Sequence, residues 1–331
     1  MSAPARWRWL GGAVLLAVLA LAAVAFWAWR DYTGAGPLAA SKTLVIPRGA
    51  GLGGVAKELA QNGVITHPWT FIAGVFTDRR LGPLKAGEYE FPAAVSPRAA
   101  AALIASGRVV QHRVTVPEGL TSAEIVALLR QQPALDGSID RVPPEGSLLP
   151  NTYFYVLDTP RAELLARMHR AMARAVAAAW RDRSSGLPLA SPEEALTLAS
   201  IVERETARED ERPHVAAVYL NRLKLGMKLQ ADPTVSYALT EGGTKPLDHP
   251  LGHEDLAIDS PYNTYLHAGL PPTPIDNPGL ASLRAALHPA ASDDLYFVAD
   301  GNGGHAFSRT LAEHNRHVEE LRHAHAEGPG K

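Results

Sequence analysis

Residues 196–206 of the chain read LTLASIVERET, an apolar run that ends in two acids separated by one arginine. A serine–proline pair precedes it, which predicts a helix start with Ser191 as the N-cap and Glu194 closing a capping box. The helix then runs into the two acids. Successive helical residues turn by about 100°, so Glu203 and Glu205 point about 200° apart and must face different surroundings.

One of these acids is expected to sit beside the apolar face that Leu198, Ile201 and Val202 form. Removing a carboxyl group from water raises its pKa, which is what a general acid working near neutral pH requires. Taken on spacing alone, however, an acid pair on a helix is more often a solvated face than a catalytic group. The pattern therefore indicates Glu203 and Glu205 as candidate general acids but does not distinguish between them.

Composition limits the possible partners and chemistries. The 331 residues carry 32 Lys and Arg against 34 Asp and Glu, a net charge of −2. That length predicts about two domains, and the balanced charge gives no sign of nucleic-acid binding. The chain contains no cysteine, which excludes disulfides, thiolate metal sites and cysteine nucleophiles.

Motif spacing narrows the chemistry further. A loop carries His249, His253, Glu254 and Asp255, but the zinc-peptidase spacing H-E-x-x-H is absent, so we expect no metal. The serine-hydrolase elbow G-x-S-x-G and a phosphate-binding loop are also missing from the sequence. Glycoside chemistry remains, because it needs a carboxylic acid that protonates the leaving oxygen.

The N-terminus predicts a membrane anchor. Residues 9–29 contain no charge, tryptophans bracket the run, and about 20 residues suffice to cross a bilayer as helix. Arg6 and Arg8 place positive charge on the short side, which predicts a cytoplasmic N-terminus with the chain outside from about residue 31. In a bacterium this is a single-pass inner-membrane protein with a periplasmic bulk. A cleaved signal peptide is the competing interpretation, because residues 22–25 are small.

A strand–turn–helix pattern occurs twice in the first half of the chain. We predict strands at 43–46, 84–91 and 114–116, and helices at 52–63, 97–106 and from the capping box of Thr121 and Glu124 onward. Short strand–helix units of this kind resemble LysM domains, which bind N-acetylglucosamine polymers. The simpler interpretation is a small module that only maintains its own core.

The second half is mainly helical, with a terminal hairpin. The charged residues 208–212 predict a solvated turn. Asp232 precedes a proline, which predicts that one element ends there. The other predicted elements are helices at 160–183, 213–223, 234–239 and 278–286, a long loop at 240–280, and a strand at 295–299 that enters a glycine turn. The fold class is therefore α+β: an N-terminal transmembrane helix, a small α+β module, and a mixed helical and β domain.

Several of these segments together resemble the YceG-like family of endolytic murein transglycosylases. The matching segments are 199–206, 221–223, 229–234, 262–265, 269–275 and 296–301. The resemblance covers roughly residues 43–320. It implies a LysM-like module before the catalytic domain. With the patterns above, we predict five segments: 1–30 for a cytoplasmic stub and transmembrane helix, 31–42 for a linker, 43–110 for the LysM-like module, 111–159 for a second α+β repeat or connector, and 160–331 for the catalytic domain.

The resemblance also implies the reaction. Its members cleave the β-1,4 bond between N-acetylmuramic acid and N-acetylglucosamine inside nascent peptidoglycan strands, without water, and leave 1,6-anhydromuramyl ends. We expect no cofactor. The implied partners are the glycan strands and, in the membrane, peptidoglycan synthases.

The same resemblance assigns residues. Lytic transglycosylases use one glutamate as acid and then as base, often followed by serine; by that analogy Glu205, which precedes Thr206, is the catalytic choice and Glu203 the runner-up. Aromatic rings stack on sugar faces, and amide and hydroxyl groups bond sugar hydroxyls. The expected substrate-binding residues are Gln230, Tyr262, Asn263, Thr264 and Tyr265.

One segment departs from the family pattern, and one other class of function stays open. Residues 148–153 lack the aromatic and the acid expected there, which puts the contribution of that loop to binding in doubt. The alternative function is a non-catalytic scaffold that binds glycan and organises cell-wall synthesis enzymes. Retention of both glutamates favours the enzyme.

Overall fold

The computed structural model of the chain describes residues 3–326, with side chains from Trp9 to His323. It forms two compact units: residues up to His112 with Tyr155–Leu157, and Arg113–Phe154 with the residues from Asp158 onward. Helices and short two-stranded sheets are mixed in it, so the predicted α+β class is confirmed.

The first unit begins with one long helix, α1 (Ala3–Thr33). Its segment Trp9–Thr33 is long and apolar enough to cross a membrane: its 25 residues span about 37 Å, against about 30 Å of hydrocarbon. The side chains of residues 6–8, on which the predicted orientation depends, lie outside the described part of the structure.

The rest of this unit is a small layer of helices on a two-stranded sheet. Its elements are β1 (Lys42–Ile46), α2 (Leu52–Gln61), α3 (Pro68–Thr77), β2 (Gly87–Phe91) and α4 (Pro97–Ser106). Strands β1 and β2 pair antiparallel, and their alternate residues Leu44, Ile46, Tyr89 and Phe91 enter the core. Helix α3 was not predicted, because its short uncharged sequence begins without a side-chain cap.

The chain continues with alternating short strands and helices. These are β3 (His112–Thr115), α5 (Ser122–Arg130), β4 (Leu135–Asp136), β5 (Thr152–Tyr155), β6 (Thr159–Pro160), α6 (Arg161–Arg181), α7 (Pro192–Glu205), α8 (Arg212–Lys224), α9 (Asp232–Leu239), α10 (Leu280–Leu287), β7 (Tyr296–Ala299), β8 (His305–Ser308) and α11 (Leu311–Ala326). β3 pairs with β5, β4 runs parallel to β6, and β7 and β8 form the predicted hairpin. Helix α11 was not predicted.

Helix α7 is the central element of the second unit. It is buried over Thr197–Val202 and packs against α6, α8, α9 and α10. Ser191 caps it as predicted, since its side chain accepts the Glu194 amide hydrogen. The predicted capping box is wrong in one detail, because Glu194 accepts from the Ala190 amide at 2.6 Å, one residue before the cap.

Two further expectations need correction. Asp232 begins α9 instead of ending the preceding element: Ala231 is the extended residue, and Pro233 fits the first helical turn. The charged residues 208–212 are not all solvated, because Arg212 opens α8 and is only 6% exposed. An ion pair described below explains that burial.

A buried serine joins α7 to the chain that leads into α10. Ser200 is fully buried; its Oγ donates to the Thr197 carbonyl and accepts the Ile275 amide hydrogen at 3.0 Å. Removal of this oxygen leaves a buried N–H without a partner.

We predict that Ser200→Ala lowers the free energy of unfolding by about 1–3 kcal/mol, the cost of an unsatisfied buried donor. Denaturant titration of the detergent-solubilised chain measures it. Ser138→Ala is the matched control, because Ser138 is exposed and should cost less than about 0.5 kcal/mol. Equal effects of the two substitutions would contradict the assigned role.

Candidate active site at the end of helix α7

Glu205 is the last residue of α7, and its carboxyl group lies in a pocket of polar side chains. The hydroxyl of Tyr219, on α8, donates a short hydrogen bond to Glu205 Oε1. Tyr219 is 1% exposed, and the ring of Phe297 on β7 meets it edge to face at 5.8 Å between centroids. The hairpin therefore fixes the tyrosine, and the tyrosine fixes one oxygen of the acid.

Burial is the main influence on the Glu205 carboxyl group. The pKa of Glu205 is raised from 4.5 to about 7, mainly because the charged form loses its hydration. The Asp232 carboxylate nearby also raises the pKa, whereas the Tyr219 hydrogen bond and the Arg222 guanidinium lower it. At neutral pH a group with this pKa exists in both protonation states, as a residue that must give and later take a proton requires.

Three other side chains complete the surroundings of Glu205. Arg222 is buried and held in place, with its guanidinium donating to the carbonyls of Leu229 and Leu295, each at 2.6 Å. Tyr265 donates to Asp232 Oδ1 at 2.5 Å. These contacts bring α8, the start of α9 and the 262–265 loop to the same carboxyl group.

Gln230 sits at the bend between α8 and α9 in a strained backbone conformation. Its φ is +53°, a left-handed value that is costly for a residue with a side chain. Its backbone N–H donates to the Thr264 carbonyl at 3.1 Å, and its side chain is exposed. The bend thus presents the side-chain amide group of Gln230 to solvent beside Arg222.

Glu203 has a different environment on the opposite side of α7. Its Oε1 accepts from Arg212 at 3.0 Å, and its Oε2 accepts the Gly279 amide hydrogen, at the N-terminus of α10, at 2.8 Å. The Glu203 and Arg212 side chains are 5% and 7% exposed. Both carboxylate oxygens are thus engaged in holding α7, α8 and α10 together.

The predicted sugar-binding residues divide into three groups, of which Asn263 and Thr264 form the last. Tyr265 and Gln230 lie at the Glu205 site, whereas Tyr262 packs on Tyr237 at 4.8 Å between ring centroids. Tyr237 lines a cavity of about 220 Å³ beside α9.

Asn263 and Thr264 are buried and serve the loop. Asn263 donates to the carbonyls of Leu256 and Ile258 and accepts the Tyr265 amide hydrogen. Thr264 Oγ1 accepts from the Ala231 amide at 2.9 Å. A role in substrate binding stays a prediction for all five residues. The hydrogen bonds of Asn263 and Thr264 hold the backbone of the loop that contains Tyr265.

Sequence reasoning missed two features of the site. Tyr219 lies on an apolar face of α8, which predicts only a core position, and nothing in the local sequence indicates that its hydroxyl bonds Glu205. Asp276 is fully buried with no hydrogen-bond partner among the described residues, and burial raises its pKa well above the usual value. It lies near Glu203 and Arg204, on the Glu203 side of α7.

Comparison with known sequences identifies relatives. The sequence profile of the YceG-like family matches residues 44–320. A Bacillus subtilis (strain 168) protein named endolytic murein transglycosylase is 42% identical over 175 residues, which are 53% of this chain and 47% of that protein. A Streptococcus pneumoniae (serotype 2, strain D39) protein of the same name is 34% identical over 200 residues, 60% of this chain and 36% of that protein.

Comparison with solved structures supports the same fold. A crystal structure of a yceG-like protein from Listeria monocytogenes superposes with a TM-score of 0.52 at 32% identity, covering 83% of this chain and 98% of that one. The sequence matches to the two transglycosylases span about half of one and about a third of the other.

The raised pKa of Glu205 predicts a pH-dependent stability difference. Between pH 4.5 and about 7 the native carboxyl group keeps a proton that the unfolded chain releases, so the free energy of unfolding falls as pH rises through this window. Glutamine does not titrate, so Glu205→Gln removes this decrease in the free energy of unfolding. We expect the stability of the variant relative to the unmodified protein to rise through this window, by about 3 kcal/mol in total when the pH reaches about 7.

Denaturant titrations at several pH values measure the difference. Glu209→Gln is the matched control, since Glu209 is exposed four residues further along the chain. A Glu205→Gln profile that runs parallel to that of the unmodified protein from pH 4.5 to 8 would rule out the raised pKa.

Proposed function

We propose that this chain, which belongs to the YceG-like family, is an endolytic murein transglycosylase that cuts glycan strands from within. The names of its Bacillus and Streptococcus relatives support the activity. We assign the bond between N-acetylmuramic acid and N-acetylglucosamine, in nascent strands, as the bond that is cut. The observation that carries the chemistry is the Glu205 carboxyl group, whose pKa burial raises to about 7.

In the first step, protonated Glu205 gives its proton to the glycosidic oxygen. The bond between that oxygen and the muramyl C1 breaks, and the N-acetylglucosamine portion leaves with a hydroxyl group. Tyr219 occupies Oε1, so Oε2 is the oxygen that carries the proton. The positive charge that develops at C1 faces a site that now contains the Glu205 carboxylate.

In the second step, the same carboxylate takes the proton of the muramyl 6-hydroxyl group. Oxygen 6 then bonds to C1 and closes the 1,6-anhydro ring, which restores protonated Glu205. One residue with a pKa near 7 can perform both transfers because its protonated and ionised states are both populated at neutral pH.

Around the acid, we assign the exposed Gln230 amide and the Tyr265 ring to direct sugar contact. We assign Tyr262, which lies beside Tyr237, to contact with a neighbouring sugar unit. Asn263 and Thr264 contribute by holding the loop that carries Tyr265.

We assign the remaining parts of the chain as follows. Residues 43–110 form a LysM-like, glycan-binding module; its strand–helix–helix–strand order supports this. Residues 31–42, which begin with the last turn of α1, connect the anchor to this module; 111–159 are the connector and 160–331 the catalytic domain. The apolar helix Trp9–Thr33 anchors the protein once in the bacterial inner membrane, with a cytoplasmic N-terminus, a periplasmic site and synthases as partners.

We predict that Glu205→Gln abolishes the formation of 1,6-anhydromuramyl ends on purified glycan strands, a loss of at least about 10³-fold, because no other group supplies the proton. Glu203→Gln is the matched control. It keeps an oxygen for the Gly279 amide and should retain activity within about tenfold. Mass spectrometry of the products measures both, with circular dichroism as the check on folding.

Each other outcome has a defined meaning. Activity in folded Glu205→Gln with loss in folded Glu203→Gln would reverse the residue assignment. Activity in both variants would exclude the mechanism, and reducing muramyl ends would indicate hydrolysis. Glycan binding by the unmodified protein without any cleavage would favour the scaffold function.

A further inference from the structure

Helix α3 exposes an apolar stripe that the fold of its own unit does not use. The helix Pro68–Thr77 contains no charged residue, and it buries Thr70 and Phe71 in the core. Trp69, Ala73 and Phe76 lie on the outer face at i, i+4 and i+7, with Trp69 48% and Phe76 85% exposed. A helix facing water carries polar residues there.

The stripe adjoins the helix that can cross a membrane. The rings of Trp69 and Trp27, the latter near the end of α1, stack at 5.4 Å between centroids. Further along, the Tyr32 ring fills the space above Gly74 so closely that a Cβ there would lie 2.4 Å from a ring atom. The two helices are therefore in direct contact over this length.

Polar contacts lock the same pair of helices. Thr70 Oγ1 donates to Asp31 Oδ2 at 2.5 Å, and His67 Nδ1 lies 3.1 Å from Asp31 Oδ1. The last turns of α1 thus fix the position of α3, and α3 cannot move relative to the membrane without the anchor.

The position of this contact along α1 is that of a membrane surface. Trp27 follows the long apolar run and precedes the charged residues Arg30 and Asp31, which is where aromatic residues meet lipid headgroups. Exposed Arg79 and Arg80 follow α3 after its C-cap residue Asp78. The nearby acids have partners, since Asp31 bonds Thr70 and Asp78 pairs with Arg98 at 3.1 Å.

We infer that α3 is an interfacial helix: its Trp69–Phe76 stripe inserts into the headgroup region of the bilayer that α1 crosses, with the following arginines at anionic headgroups. Lipid is the occupant because the stripe continues directly from the anchor. A protein partner fits less well, since three side chains offer far less than the roughly 1,200 Å² of a stable interface. The α1–α3 pair then sets the height of the first unit above the membrane. This inference does not depend on the proposed catalysis.

Single-cysteine labelling of the full-length protein in liposomes tests the insertion, because the native chain has no cysteine. Phe76→Cys carries an environment-sensitive NBD label. Phe154→Cys is the matched control, at a phenylalanine that is 53% exposed. The protein fold alone predicts that aqueous iodide reaches position 76 more easily than position 154, since 85% of Phe76 is exposed.

Insertion predicts the opposite order. Iodide should quench the label at 76 at least about threefold less than the label at 154, and doxyl-labelled lipids should quench it more. Stronger iodide quenching at 76 in liposomes containing anionic lipid would overturn the inference. Protection at 76 in native membranes but not in pure lipid would also overturn it, because the occupant would then be a protein.

Discussion

The hydrogen bond between the Tyr219 hydroxyl and the Glu205 carboxyl group is the interaction on which the rest of the site depends. It holds one carboxyl oxygen still inside a pocket where the loss of hydration raises the pKa of Glu205 to about 7. The other oxygen is the one to which we assign the proposed proton transfer. Without the enclosure the acid would be ionised at neutral pH; without the tyrosine it would have no fixed direction.

The two acids of α7 show how one helix turn produces two environments. Glu203 points away from Glu205, and Arg212 and the α10 N-terminus keep both of its oxygens occupied. The ion pair connects three helices, and each partner compensates the buried charge of the other, so removal of either one would leave a buried charge unpaired. Glu203 therefore connects α7 to α8 and α10, whereas Glu205, in the same turn, is positioned by Tyr219 of α8.

The sequence predicts the elements whose signals are local and misses those set by distant partners. The N-cap at Ser191, the apolar face of α7 and the different orientations of its acids all follow from residues within one or two turns. The burial of Arg212 does not, because it depends on Glu203 and not on the charged neighbours that suggested a turn. Asn277 holds Leu148 from 129 residues away, a contact that no local pattern indicates. Helix α3 was missed for a different reason: it begins without a side-chain cap, and its outer face is apolar, so the usual alternation of buried and polar residues is absent.

Direct titration of the Glu205 carboxyl group tests the central claim most closely. In protein labelled with ¹³C at the glutamate carboxyl carbon, the signal absent from Glu205→Gln identifies the residue, and its chemical shift follows the protonation state. The account predicts a midpoint near pH 7. A midpoint near the unperturbed value of about 4.5 would contradict it, because the carboxyl group would then be ionised throughout the neutral range and unable to act as the acid.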